Sequence, residues 1–145
     1  MTDSRRATDV LLRVLVAAAL AVDAGVHLSL ASNYQLAAPG GIGAGNVFRI
    51  ESVVALLAAL YVLIRGSRWA YAVAFLVGLS AFAAVILYRY VDVPPIGPIP
   101  AMYEPVWFFQ KSLSAVAEAL AALLAGIGFA LHHRRRPASR DSSSA

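Results

Sequence analysis

No cysteine occurs anywhere in the 145 residues. That absence excludes a disulfide framework, a thiol nucleophile, an iron–sulfur cluster and a thiolate zinc site. Charge is scarce as well: only 14% of residues are Asp, Glu, Lys or Arg, against roughly 25% in an ordinary soluble domain. No Gly-x-Ser-x-Gly elbow offers a serine nucleophile, so no catalytic residue is assigned. The glycine-rich stretch 38–45 has neither the lysine nor the preceding strand of a phosphate loop. It reads as a flexible connector. The net charge of +4 is not gathered on one helix face or basic patch, so nucleic acid is not an expected partner.

What the chain has in abundance is apolar length. Sixty per cent of residues are hydrophobic, and the mean hydropathy is +0.71. Four runs, 10–31, 47–64, 69–90 and 105–131, carry most of that character. A helix needs about 20 apolar residues to cross a hydrocarbon core about 30 Å thick, and each run is near that length. The pattern predicts an all-α fold, a four-helix transmembrane bundle in up-down-up-down order. It forms a single domain over 1–133, followed by a basic, then serine-rich tail over 134–145 that is expected to be disordered. The turn from Arg65 to Arg68 is short enough to make the second and third helices an antiparallel hairpin. The proline-rich segment 92–100 is expected to be extended and semi-rigid.

Basic residues set the orientation. Arg5, Arg6, Arg13, Arg65, Arg68, Arg134, Arg135, Arg136 and Arg140 share one side of such a bundle, and only Arg49, Arg89 and Lys111 fall on the other. Loops rich in Lys and Arg stay cytoplasmic. The expected location is therefore a bacterial plasma membrane, with both termini inside and the lipid bilayer as the main partner. Trp69 marks the inner interface, and Tyr88, Tyr90, Tyr103 and Trp107 the outer one. Ser4-Arg5-Arg6 resembles the start of a twin-arginine signal, but Ala7-Thr8-Asp9 lacks the apolar residues that follow in one, and the run behind it contains Asp23. The first run is accordingly expected to remain as a span. Small residues recur every four positions, at Ala17, Ala21 and Gly25, at Ala70, Ala74 and Gly78, and at Ala122 and Gly126. Such ridges let helices approach closely, within one bundle or across a homo-oligomer seam.

The candidate functional residues are the polar ones inside the spans: Asp23 and His27, Arg49 and Glu51, and Lys111, Ser114 and Glu118. A charge at mid-span costs about 2.5–3.5 kcal/mol on an insertion scale, so these groups are expected to face inward and find partners. At about 1.5 Å of rise per residue, His27 and Glu51 lie about 6 Å from the outer ends, Lys111 about 9 Å and Asp23 about 12 Å. Two layers follow: a His27–Glu51 hydrogen bond above an Asp23–Lys111 ion pair. Glu118 lies deeper, at about 20 Å. A haem held by two histidines is disfavoured, because about 30 Å of bilayer separates His27 from His132 and His133. Asp23, His27 and Glu51 would be suitable metal donors, yet i,i+4 spacing is too common to mark a site. No metal and no cofactor is assigned.

Gly25-Val26-His27-Leu28, Tyr34, Ile42-Gly43, Asn46-Val47-Phe48 and the run Ser114 to Leu120 together resemble a group of small four-helix integral membrane proteins of high-GC bacteria. The likeness to DoxX-like four-helix proteins is looser. The resemblance covers nearly the whole chain and implies the same architecture; it transfers no activity, but it directs attention to His27 and Glu118. Three functions are weighed from these residues. The first is a non-enzymatic accessory or interaction component, self-associating or bound to a membrane-protein partner, whose polar cluster fixes the bundle. The second is a small carrier or ligand-binding protein using Asp23, His27, Glu51 and Glu118 for protons or a small molecule. The third is a redox-linked membrane enzyme.

Overall fold

A computed structural model describes residues 2–134, so most of the tail 134–145 lies outside the described residues. Among those described, the chain forms four helices: α1 (Thr2–Ala37), α2 (Ala44–Arg65), α3 (Arg68–Tyr90) and α4 (Phe109–His133). Each is long and apolar enough to span a membrane, and the expected all-α four-helix bundle is what they build. α1 packs on both α2 and α4, α3 packs on α4 and α2, and the diagonal pair α1 and α3 barely touch. Connections 38–43 and 91–108 lie together at one end, here the loop end. The N-terminus, the α2–α3 turn and the end of α4 lie at the other, the terminal end.

The helices differ from the apolar runs where polar chemistry extends or delays them. α1 has 36 residues, about 54 Å of helix at 1.5 Å per residue, and therefore outreaches a bilayer core at both ends. Its polar start contains no breaker and supports itself: Thr8 Oγ1 donates to the Ser4 carbonyl at 2.9 Å, and Arg13 pairs with Asp9 at 2.5 Å. It stops just before Pro39 and Gly40. α4 begins four residues later than its apolar run, because 101–108 stays extended and the Glu104 amide donates to the Tyr88 carbonyl at 3.0 Å. The α2–α3 turn consists of Gly66 in the left-handed region (φ 50°) and Ser67, whose side chain caps α3 by accepting from Ala70 at 3.2 Å.

The core is narrow and built of small residues. Ala55, Ala58, Ala70, Ala74, Ala121 and Ala125 are buried, with Val16, Leu20, Val62 and Tyr71 filling the gaps. The large apolar side chains point outward instead, among them Leu57, Ile64, Leu76 and Leu123. This inside-out distribution suits a hydrocarbon solvent, where close backbone approach rather than burial of large side chains holds helices together. The chain is accordingly a multi-pass integral membrane protein. The first connection is not the flexible linker its glycines suggest. Only 38–43 lies outside helix, and the Ile42 amide donates to the Pro98 carbonyl at 2.9 Å, joining the two connections of the loop end. Gly41 sits there at φ 60°, so close to Pro98 that a Cβ would overlap its carbonyl.

Candidate functional site

Asp23 is fully buried, and His27 nearly so, one turn apart on α1. The His27 Nδ1 lies 2.9 Å from Asp23 Oδ1, 3.1 Å from the Asp23 carbonyl and 3.2 Å from Glu51 Oε2 of α2. A ring nitrogen carries at most one hydrogen, so these three acceptors compete for it. The Glu51 contact is an ion-pair distance without hydrogen-bond geometry, and Glu51 Oε2 has no hydrogen-bond partner. From α4, Ser114 Oγ lies 3.1 Å from Asp23 Oδ1 and 2.6 Å from Glu118 Oε1. Its single hydroxyl hydrogen serves only one of them. The other contact calls for a proton on a carboxyl or for a cation.

The cluster is therefore short of positive charge. Asp23 Oδ2, Glu118 Oε2 and both carboxylate oxygens of Glu51 are buried with no hydrogen-bond partner. A buried polar atom left unmatched in apolar surroundings costs kilocalories, so acceptors in this number point to something that supplies protons or charge. Next to the cluster, toward the loop end, lies a cavity of about 120 Å³. Val26, Phe48, Ala84 and Val85 give it apolar walls, while His27, Glu51, Ser114 and, toward the loop end, Lys111 and Glu104 line its polar edges. His27 is held edge-on to Phe48, with centroids 4.8 Å apart. Asp23 and Glu118 lie behind Ser114.

Five of the seven residues singled out from sequence meet here: Asp23, His27, Glu51, Ser114 and Glu118. Two expectations about their arrangement fail. No Asp23–Lys111 ion pair forms. Because α4 begins at Phe109, Lys111 is in its first turn, near the loop end, and its ammonium donates to the Glu104 carbonyl with the Trp107 ring 5.6 Å away. The same late start raises Glu118 toward the level of Asp23, with Ser114, one turn away on α4, in contact with both, so there is one contiguous cluster and not two layers with a deeper Glu118 below. Arg49 stays out altogether, exposed and donating to Asn46 Oδ1 at 2.8 Å.

Sequence reasoning missed two participants. Ser52 is fully buried and donates toward the Ala24 and Phe48 carbonyls, 3.0 and 2.9 Å away, fastening α2 to α1 beside the cluster. A mid-helix serine four residues after its acceptor is a recognisable back-bonding pattern, so a signal existed. Glu104 gave none, because it acts on Lys111 through its backbone carbonyl, which every residue possesses. A second polar group sits at the terminal end: Asp9 lies 3.5 Å from both His132 Nε2 and the Tyr71 hydroxyl, and pairs with Arg13. It ties α1, α3 and α4 together.

No family model matches this chain, and comparison with curated proteins and with solved structures finds no match either.

Proposed function

We propose that this protein is a small-molecule binding protein or carrier of a bacterial plasma membrane, with both termini cytoplasmic and the cavity opening toward the outer leaflet. The single observation that carries the binding reading is the cavity itself, apolar on its walls and bordered by a carboxyl and imidazole cluster with more acceptors than donors. Its volume is close to that of an engineered apolar cavity of about 150 Å³ that holds benzene. It suits a ring-sized group, alone or as the head of a longer lipophilic molecule whose tail stays in lipid. The unmatched oxygens of Glu51 and the Asp23–Glu118 pair favour a hydrogen-bond-donating or cationic group at that edge, while Lys111, which also lines the cavity, offers a donor toward the loop end.

A purely architectural role, in an accessory or self-associating component, accounts well for Ser52 and for Asp9 with Arg13. It leaves the unmatched carboxyl oxygens unexplained, and it needs no cavity beside them. The inside location of the termini is supported by the nine arginines that cluster at the terminal end and in the tail.

Filling the cavity tests the proposal. Ala84→Trp replaces a wall residue with a side chain that occupies the space. Native mass spectrometry of the purified wild type should show a bound organic species, and Ala84→Trp should lose it at unchanged yield and helix content. Identical organic extracts from both proteins, or none from either, would remove the binding reading and favour the architectural one.

A further inference from the structure

We infer that Asp23, His27 and Glu118 form a binding site for one divalent first-row transition-metal ion. The inference goes beyond the binding reading above and stands whether or not an organic molecule enters the cavity. One donor atom from each of these residues lies within 4.8 Å of the other two, and all three residues are buried. Zinc bonds to nitrogen and oxygen ligands are about 2.0–2.2 Å, which places two ligands of one tetrahedral ion about 3.4 Å apart. The donor atoms are thus within about 1.4 Å of the spacing that one ion requires.

The independent mark of a missing cation is the set of unmatched atoms. Asp23 Oδ2 and Glu118 Oε2 belong to side chains with no exposed surface and have no donor. Protons would neutralise the carboxyls one at a time, each leaving an acceptor oxygen behind. A divalent ion answers both carboxylates and the imidazole lone pair together, and two carboxylates with a neutral imidazole balance its charge. The donor chemistry narrows the ion: imidazole with carboxylates suits zinc, manganese or iron, whereas soft ions that select thiolates find none in a cysteine-free chain. Ser114 has the position of a supporting residue, its hydroxyl 2.6 Å from Glu118 Oε1. His27 and Ser114 also border the cavity, which gives the ion a route in. Three protein ligands leave a position of a four-coordinate ion for water or for a donor atom from the cavity.

The full chain, purified in detergent and stripped with a chelator, is titrated with Co²⁺ and then Zn²⁺. The wild type should develop visible cobalt absorption that saturates at about one equivalent and is displaced by zinc, and elemental analysis after desalting should recover the metal. His27→Gln and Glu118→Gln should each weaken retention by at least about tenfold, the lower bound for disturbing even the supporting groups of a metal site. His132→Gln, at the opposite end of the bundle, should leave it unchanged. The Ala84→Trp protein should still take up cobalt, which keeps this outcome separate from loss of the organic ligand. Absence of cobalt absorption in the wild type overturns the inference without recourse to any variant. So does equal retention by an Asp23→Asn/Glu118→Gln double variant.

Discussion

At the scale of single residues, depth along the helix decides which charges meet. Asp23 and Lys111 have opposite charges and comparable counts from the ends of their apolar runs, which made a pair attractive. Lys111 instead reaches toward the loop end, where the Glu104 carbonyl and the Trp107 ring receive its ammonium. A long flexible stem lets lysine direct its charge away from hydrocarbon, whereas the short Asp23 side chain takes the donors beside it, His27 and Ser114. This distinction is measurable by double-mutant cycles on unfolding in detergent. Asp23→Asn and Lys111→Met should be additive to within about 0.5 kcal/mol, as independent sites are. Asp23→Asn combined with Ser114→Ala should depart from additivity by about 0.5 kcal/mol or more, as contacting residues do. The reverse pattern would restore the Asp23–Lys111 pair and contradict the cluster described above.

At the scale of elements, the small-residue ridges turn out unequal. On α3, Ala70, Ala74 and Gly78 are all buried, and a Cβ on Gly78 would come within 3.0 Å of the Ala122 amide and the Glu118 carbonyl of α4. α3 and α4 therefore approach at backbone level beside Glu118, a member of the cluster. On α1, Ala21 and Gly25 face outward, and a Cβ on Gly25 meets nothing. On α4, a Cβ on Gly126 would make only ordinary contact with Phe75, at 3.5 Å. Gly78→Ala should thus destabilise by about 1–3 kcal/mol, the usual range for overpacking, while Gly126→Ala should be neutral or slightly stabilising because alanine is the better helix former. Thermal unfolding of the two variants in the same micelle would decide. Equal Tm values would mean that α3 and α4 do not pack through Gly78.

At the scale of the whole molecule, the two ends have different constructions. The terminal end is held by ion pairs and a capped turn, with Asp9, Arg13, Tyr71 and His132 joining three helices. The loop end carries the cavity, and its two connections are bonded to each other through Ile42 and Pro98. The cavity and the unmatched carboxyl oxygens are concentrated in the half of the bundle toward the loop end, and the Asp9 group in the other. If the arginine-rich end is cytoplasmic, cysteine introduced as Ser4→Cys should react with an impermeant maleimide only after cells are opened. Ile96→Cys, which is exposed on the loop end, should react in intact cells. The chain's freedom from native cysteine makes the background negligible. Labelling of Ser4→Cys from outside would invert the orientation.

Much of this protein was legible from its sequence, because the bilayer demands so much of a chain that crosses it. Backbone groups must be satisfied internally, so about 20 consecutive apolar residues mean a helix, and the number of runs gave the number of helices. Charge is costly in hydrocarbon, so polar residues inside those runs marked Asp23, His27, Glu51, Ser114 and Glu118 before any contact was seen. What only the tertiary structure decided was register and partnership. The start of α4 depends on an extended segment held to Tyr88 by one backbone hydrogen bond, and no local pattern announces that bond. A shift of four residues there, about 6 Å along the axis, removes Lys111 from the cluster and brings Ser114 and Glu118 to the level of Asp23. The cavity is likewise a property of packing: its walls come from several helices and one connection, and a void exists only where side chains from separate elements fail to meet.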